Sequence, residues 1–403
     1  ATGTFYGDYL YWDTTPANWV VGSTKISLGK NAGENSQGTF AVAIGNQAGE
    51  NTQKTGAIAI GYQAGQDIQA TDAIAIGISA GRTNQGSFGV AIGSEAGSLS
   101  QGTSSVAVGR LAGQISQGQA SVAVGRRAGV NRQGVDAVAI GSGAGFGTQG
   151  ASCVAIGNAA GQTAQGSGAI AIGVQAAEST QGQQCVAIGN SAGFQSQGSG
   201  AIAIGFSAGA YSLSTQGINS VSIGVNAGNT GQNSGAIAIG FGAGRTNQGT
   251  NSIAIGVLAG QTSQAANTII LNAQGTVVTG ATANAFYVGP VRGVAATTPV
   301  MTYDTVTDEI RYNSSSIRYK KNVIDLQQDT SKVYSIRARE YDSKEDDKHY
   351  IGYVAEELND VDPYFAYRLP DGSPESIEWF NLLIYTIEEM KKLKQRIETL
   401  ERR

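Results

Sequence analysis

A sixteen-residue period constrains this chain more than any other feature of its sequence. The pentapeptide AVAIG starts at Ala41, and variants of it start at 57, 73, 89, 105, 121, 137, 153, 169, 185 and 201. After a three-residue insertion between Gly209 and Gln216 the series resumes at 220, 236 and 252, and it closes with a degenerate TIILN at 268. KISLG at 25–29 is its first member, which makes 16 units. An Ala-Gly pair follows the pentapeptide, as in Ala32-Gly33 and Ala48-Gly49, and a glutamine recurs in phase from Gln37 to Gln197 and from Gln216 to Gln264. A fixed short period of this kind is the mark of a solenoid, in which each unit buries its apolar side only against its neighbours.

Sixteen residues are too few for a repeat that contains a helix. Val42 and Ile44 point to one side of the chain and Ala41 and Ala43 to the other, which is strand periodicity. Each unit therefore reads as one turn of a parallel β-coil with two short strands. At ~4.8 Å per stacked strand, 16 coils give a rod of roughly 75 Å. The insertion is expected to bulge near Tyr211 without shifting later strands, and the in-phase glutamines to stack as an amide ladder. Cys153 and Cys185 share one repeat position two coils apart, hence ~9.6 Å. That is too far for a disulfide, so both read as small buried thiols. One Val, one Ile and a few alanines per coil bury little against the entropy of ordering sixteen residues, so packing of several rods side by side is expected.

Composition narrows the function classes. Glycine supplies 58 of 403 residues without a Gly-X-Y triplet, 14% of residues are charged, and the formal net charge is −4, which argues against a nucleic-acid partner. No apolar run reaches the ~20 residues that a membrane helix needs, and no cofactor or metal motif is present. Few acids occur in the repeats and none recurs in register, against a polysaccharide-cleaving tailspike with paired carboxylates. Threonine ladders of the kind an ice-binding solenoid would use are absent as well.

The two ends differ from the repeat. Residues 1–24 contain FYGDYLYWDTTPANWVVG, read as a hairpin that caps the first coil, with Trp12 and Trp19 as capping hydrophobes or, less simply, a sugar-stacking platform. The solenoid is assigned to 25–275 and a β-neck to 276–314, the neck with a strand at AFYVGPV and a hairpin turning at DTVTD. From 315 to 403 the chain becomes an ordinary charged α+β domain. Its closing helix, from about Pro374, places Leu383, Met390 and Ile397 at a positions of a heptad, with Thr386, Leu393 and Leu400 at d. This is a coiled-coil seam, with Glu388, Glu389, Lys391 and Lys392 as solvated charges. A helix packed on its own domain would show much the same pattern, but the strict spacing favours the coiled coil.

Two resemblances follow from these motifs. SVAVGRLAGQISQG (105–118) and its repeats resemble the heads of trimeric bacterial adhesins and viral fibres, which implies a left-handed trimeric β-roll over about 25–272. SSIRYKKNVI (315–324), IGYVAEEL (351–358) and the heptad helix, in that order, resemble the C-terminal intramolecular chaperone of phage endosialidase tailspikes. Ser315, Ser316, Arg318, Tyr319, Lys320 and Val323 match that family's opening motif, although Ser316 stands where Asp or Asn is commoner. Glu357 falls on the Glu of its Gly-aromatic-Ile-Ala-Gln-Glu segment, and Glu356 replaces the usual Gln. Residue types alone favour a flexible serine linker beside solvated lysines; the whole ordered constellation reverses that preference.

The resemblance implies a trimeric folding domain that removes itself by cutting Ser314–Ser315, with Ser315 as nucleophile and Lys320 as base. An ordinary lysine holds its proton at neutral pH, so such a base needs desolvation or neighbouring positive charge, which Arg318 or Lys321 could supply. Ser316, Arg318, Glu357 and His349 are the supporting candidates, although a lone histidine beside a strand is more often structural. At most this is a single-turnover serine endopeptidase with no external substrate. The expected protein is a homotrimeric phage or giant-virus fibre, made in the host cytoplasm and displayed on the virion, with a host-surface receptor or glycan and other virion proteins as partners, and with no nucleic acid and no membrane. A bacterial trimeric adhesin is the rival, expected to end in membrane strands where this sequence ends in the heptad helix.

Overall fold

The computed structural model describes the chain except residues 1–2, 14–16, 23, 212–215, 293–300, 305–306, 313–314, 345–346 and 403. It divides into two units, Ala1–Arg292 and Gly293–Arg403. The first is a parallel β-solenoid. Its main ladder starts at Ile26–Leu28 and adds one strand per coil in strict register, so that Val90, Ala91 and Ile92 stand over Ile74, Ala75 and Ile76 and under Val106, Ala107 and Val108. The second ladder carries the glutamines and runs through eleven strands from Asn35–Gln37 to Ser196–Gln197. Beyond it, Thr230–Gln232 pairs with Thr246–Gln248. Strand Ile202–Ile204 pairs directly with Val221–Ile223, so the insertion leaves the register untouched; its residues 212–215 lie outside the described residues.

The coil interior is alanine. Ala43, Ala59, Ala75 and their successors, with Ala48, Ala64 and Ala80 from the Ala-Gly turns, are fully buried and form a continuous core from Ala32 to Ala208; Ser222 then takes the alanine position, and a second core runs from Ala227 to Ile270. Only so small a side chain lets the two ladders of one coil approach each other, and a larger residue would force them apart. The Val and Ile residues of each strand lie on the other face and remain partly exposed, Ile76 at 36% and Ile92 at 38%. Cys153 and Cys185 replace alanine in a second buried row beside Ala137, Ala169 and Ala201, both as free thiols whose pKa burial raises. The glycine that ends each strand is required by geometry. At Gly77 φ is +128°, and a Cβ there would lie 2.8 Å from the carbonyl carbon of Gly93 in the next coil.

The glutamines do form an amide ladder. Gln69 Nε2 donates to Gln85 Oε1 at 3.1 Å, and Gln85 Nε2 to Gln101 Oε1 at 3.1 Å; similar links join Gln149, Gln165, Gln181 and Gln197. Each amide also donates to a strand carbonyl of its own coil, Gln85 to Ile74 at 2.8 Å, and most donate to the carbonyl that opens the next coil, Gln85 to Gly89 at 3.2 Å. At the first coil no glutamine precedes Gln37, and Ser27 Oγ donates to its Oε1 instead. The ladder lapses between Gln101 and Gln149 and again before Gln216 and Gln264, so that the Oε1 atoms of Gln117, Gln133, Gln149, Gln216 and Gln264 are buried without partners. Gln85→Leu removes one rung and orphans buried groups on both sides, so we expect a loss of about 2–3 kcal/mol, read as a lower denaturant midpoint for the shaft. An unchanged midpoint would show that the ladder is incidental to stability.

Both ends of the solenoid are closed. Strands Tyr9–Asp13 and Asn18–Gly22 form the N-terminal hairpin, with Trp12 edge-on to Trp19 at 5.7 Å; the centre of its turn, residues 14–16, lies outside the described residues. The hairpin caps through Tyr9, whose hydroxyl accepts from Ser27 N at 2.8 Å and donates to the Lys25 carbonyl at 2.7 Å. At the other end Ile270 takes the alanine position and fills the last coil with Tyr287 and Val278. Phe286–Gly289, expected in the neck, pairs in parallel with Ile269–Asn272 and so continues the coil stack.

The second unit opens with the hairpin Met301–Asp304/Glu309–Tyr312, whose turn at 305–306 lies outside the described residues. Two 3-10 turns follow, Ile317–Tyr319 and Thr330–Ser335, then the hairpin Arg339–Asp342/His349–Gly352, helix α1 (Ala355–Val361) and helix α2 (Trp379–Glu401). The closing helix does not start at Pro374. Pro374–Ile377 is a strand paired with Ala366–Arg368, and proline is tolerated there because an edge position needs no donor. Leu358, Phe365, Leu382 and Tyr385 make the core, with Phe365 edge-on to Tyr385 at 4.8 Å.

Candidate functional site

Local backbone chemistry builds the site between Ser315 and Lys320. Ser316 is the N-cap of the 3-10 turn, its Oγ accepting from Arg318 N at 3.4 Å and from Arg318 Nε at 3.3 Å. Tyr319 N donates to the Ser316 carbonyl at 3.0 Å and Lys320 N to that of Ile317 at 3.1 Å, closing the turn. This folds Lys320 back over the start of the segment, where its Nζ donates to Ser315 Oγ at 2.7 Å. Asp and Asn cap such turns by the same geometry as Ser, so serine at 316 can supply the same cap. In the neutral amine the same two atoms would let the hydroxyl donate to Nζ, as a nucleophile–base pair requires. Arg318 lies over the Tyr319 ring at 5.7 Å.

This pair is open to solvent. Ser315, Arg318, Lys320 and Lys321 are exposed, as are Ile317, Tyr319, Val323 and Ile324, and the first buried side chain after the turn is Thr330. The single chain therefore supplies the geometry of a serine–lysine dyad without the desolvation its base would need. Ser314, the other side of the expected scissile bond, lies outside the described residues.

The remaining candidates sit in other contacts. Glu357, on α1, takes a bidentate pair from Arg339 at 2.8 and 2.9 Å, which holds its carboxyl below the usual carboxylate range. His349 faces Asp342 at 2.9 Å and Glu340 at 3.5 Å across its hairpin. The structure thus brings Ser315, Ser316, Arg318 and Lys320 together and places Glu357 and His349 elsewhere.

Helix α2 has two faces. Leu382, Tyr385 and Glu389 pack on the domain, whereas Leu383, Met390, Leu393, Ile397 and Leu400 are 46–63% exposed, with Met390, Leu393 and Ile397 lining a shallow apolar groove. Glu389, expected to be a solvated charge, is 7% exposed. Its carboxylate accepts from Thr330 Oγ1 and from Lys392 Nζ, and these bonds lower its pKa. Beside it Asp362, 2% exposed, accepts from Lys332 Nζ at 3.0 Å and from the Tyr385 hydroxyl at 3.4 Å; burial first and then that carboxylate push the Tyr385 pKa up to about 12. A heptad pattern carries no signal for such contacts, because they belong to the face opposite the seam.

Comparison with known proteins places this site in a family context. Residues 315–367 match the peptidase S74 family, described as the chaperone of endosialidase. No curated protein and no solved structure matches the chain. The matched segment takes in the Ser315–Lys320 pair, Glu357 and His349 and stops short of α2. At its C-terminus, after the β-solenoid, the chain carries a chaperone-of-endosialidase domain whose first matched residue is Ser315.

Proposed function

We propose that the chain is the subunit of a homotrimeric viral surface or tail fibre, in which the solenoid is the attachment shaft and the C-terminal domain is a chaperone that releases itself at Ser314–Ser315. The observation that carries this reading is the 2.7 Å Lys320–Ser315 contact at the first matched residue of a chaperone-of-endosialidase domain that follows a β-solenoid in the same chain. In the proposed chemistry Lys320 takes the hydroxyl proton of Ser315, and Oγ attacks the Ser314 carbonyl carbon. The Ser314–Ser315 C–N bond breaks, the amine of Ser315 takes up a proton, and Ser314 is left esterified on Oγ. Water then hydrolyses the ester to a Ser314 carboxylate and a free Ser315 hydroxyl. Apolar surface supports the trimer. Val and Ile form a partly exposed aliphatic strip along the shaft, and an exposed strip runs along α2.

The need for such a domain follows from the repeat. Near-identical coils in three chains can pair out of register at small local cost, and parallel β-structure forms slowly. A domain that trimerises first sets the alignment, and its later removal leaves a fibre whose stability is kinetic. Light scattering together with intact mass tests this reading. The expected result is a trimer whose chains are split before Ser315; a folded, stable monomer with whole chains would refute it.

A further inference from the structure

We propose that Arg110, Arg126 and Arg127 form a binding site for a sulfated or carboxylated polysaccharide on one corner of the shaft. Four of the nine Lys and Arg residues in 25–275 fall between 110 and 132, although the whole chain carries a formal charge of −4. The solenoid provides its own comparison. The position after the strand glycine is Lys30 in the first coil, Asn46, Tyr62, Ile78 and Ser94 in the next four, then Arg110 and Arg126, then Ser142 and Asn158. The next position is Leu111 beside Arg110 and Arg127 beside Arg126. The chain is in register here, Arg127 N donating to the Arg110 carbonyl at 2.9 Å, so the three side chains leave one turn within a single coil step of ~4.8 Å.

All three are exposed. Arg126 Nη2 donates to Ser142 Oγ at 3.2 Å, and among the described residues none of the three forms an ion pair. Stacked like charges repel, so an unneutralised arginine group is a standing attraction for a multivalent anion. The guanidinium fork matches the paired oxygens of sulfate and carboxylate groups. The immediate neighbours, Ser94, Leu111, Ser142 and Gly143, offer hydroxyls suited to sugars and no aromatic ring on which a nucleobase could stack. This favours a glycan over a nucleic acid.

The inference deepens the attachment reading and rests on it only for its biological sense. The test uses the full chain, immobilised dextran sulfate, hyaluronate and neutral dextran, and a single-stranded DNA of matched length. Binding to one of the two anionic polysaccharides is expected and to neutral dextran is not; the two anions distinguish sulfate from carboxylate recognition. Arg110→Gln/Arg126→Gln should weaken it about tenfold or more, since charge-assisted bonds are lost, and should reduce the salt slope by about one per arginine removed. Arg82→Gln/Arg245→Gln removes the same charge from two lone sites and should leave binding unchanged. Equal loss in both double variants, no binding to either anion, or tighter binding to DNA would each overturn the assignment. Adsorption of the fibre to host cells is scored separately: a parent that adsorbs while the patch variants adsorb equally well refutes the patch alone, and a parent that binds polysaccharide but no cell refutes the attachment reading alone.

Discussion

Ser315→Ala and Lys320→Ala should each leave the chain whole while the trimer still assembles. The first removes the only oxygen that can attack from the 2.7 Å contact, the second the only group that touches that oxygen in the described structure. Loss of a nucleophile or of its base lowers such a reaction by on the order of 10³-fold or more. Neither residue is buried, so stability should change by no more than about 0.5 kcal/mol. Lys320→Arg is the sharper variant. Arginine keeps the charge and can still donate to Ser315 Oγ, yet it does not give up its proton in proteins. If cutting needs a base, the arginine chain stays whole; if it needs only a cation that orients Ser315, the arginine chain is cut. Ser316→Ala tests the cap, whose loss of about 1 kcal/mol should slow cutting roughly fivefold, with Ser316→Asp restoring it. Denaturing gels and intact mass report all five. A parent that stays whole under every folding condition, or a Ser315→Ala chain cut like the parent, sinks the self-cleavage proposal.

Much of this architecture is legible in the sequence because a repeat multiplies a weak signal. One AVAIG says little, but sixteen in register specify the strand, its direction and the stacking, and the in-phase glutamines predict the ladder that Gln69, Gln85 and Gln101 make. Helical spacing likewise reveals the exposed seam from Leu383 to Leu400. What is illegible depends on contacts distant in sequence. Glu389 looks like any exposed glutamate on a charged helix, and only the fold brings Thr330 to it from 59 residues away. Pro374 resembles a helix start because nothing local announces that Ala366–Arg368 will pair with it. Nor do the motif positions of Glu357 and His349 show their partners: Arg339 reaches Glu357 on α1 from the preceding hairpin, and Asp342 faces His349 across that hairpin.

Leu393→Asp should abolish both assembly and cutting, and the two faces of α2 make that outcome interpretable. Leu393 is 46% exposed in the single chain and Leu382 is 6% exposed. The domain's own core uses Leu382 and Tyr385, so an aspartate at 393 leaves that core intact and the monomer should retain its helical signal. In the proposed trimer three aspartates would meet on the seam, and burying each unpaired carboxylate costs several kcal/mol. That exceeds what the remaining apolar seam residues can offset, at roughly 1.5–3 kcal/mol for a fully buried large side chain. Leu382→Asp is the contrasting variant, which should unfold the domain itself. The Ser315–Lys320 pair forms within one chain but stands in solvent, so if cutting awaits desolvation by neighbouring chains, the Leu393→Asp protein will keep the dyad and not use it. Its shaft should also lose alignment, because nothing sets the register of the coils. A Leu393→Asp chain that still trimerises and splits before Ser315 would exclude α2 as the assembling element; one that is monomeric yet cut would show that the dyad needs no partner chain.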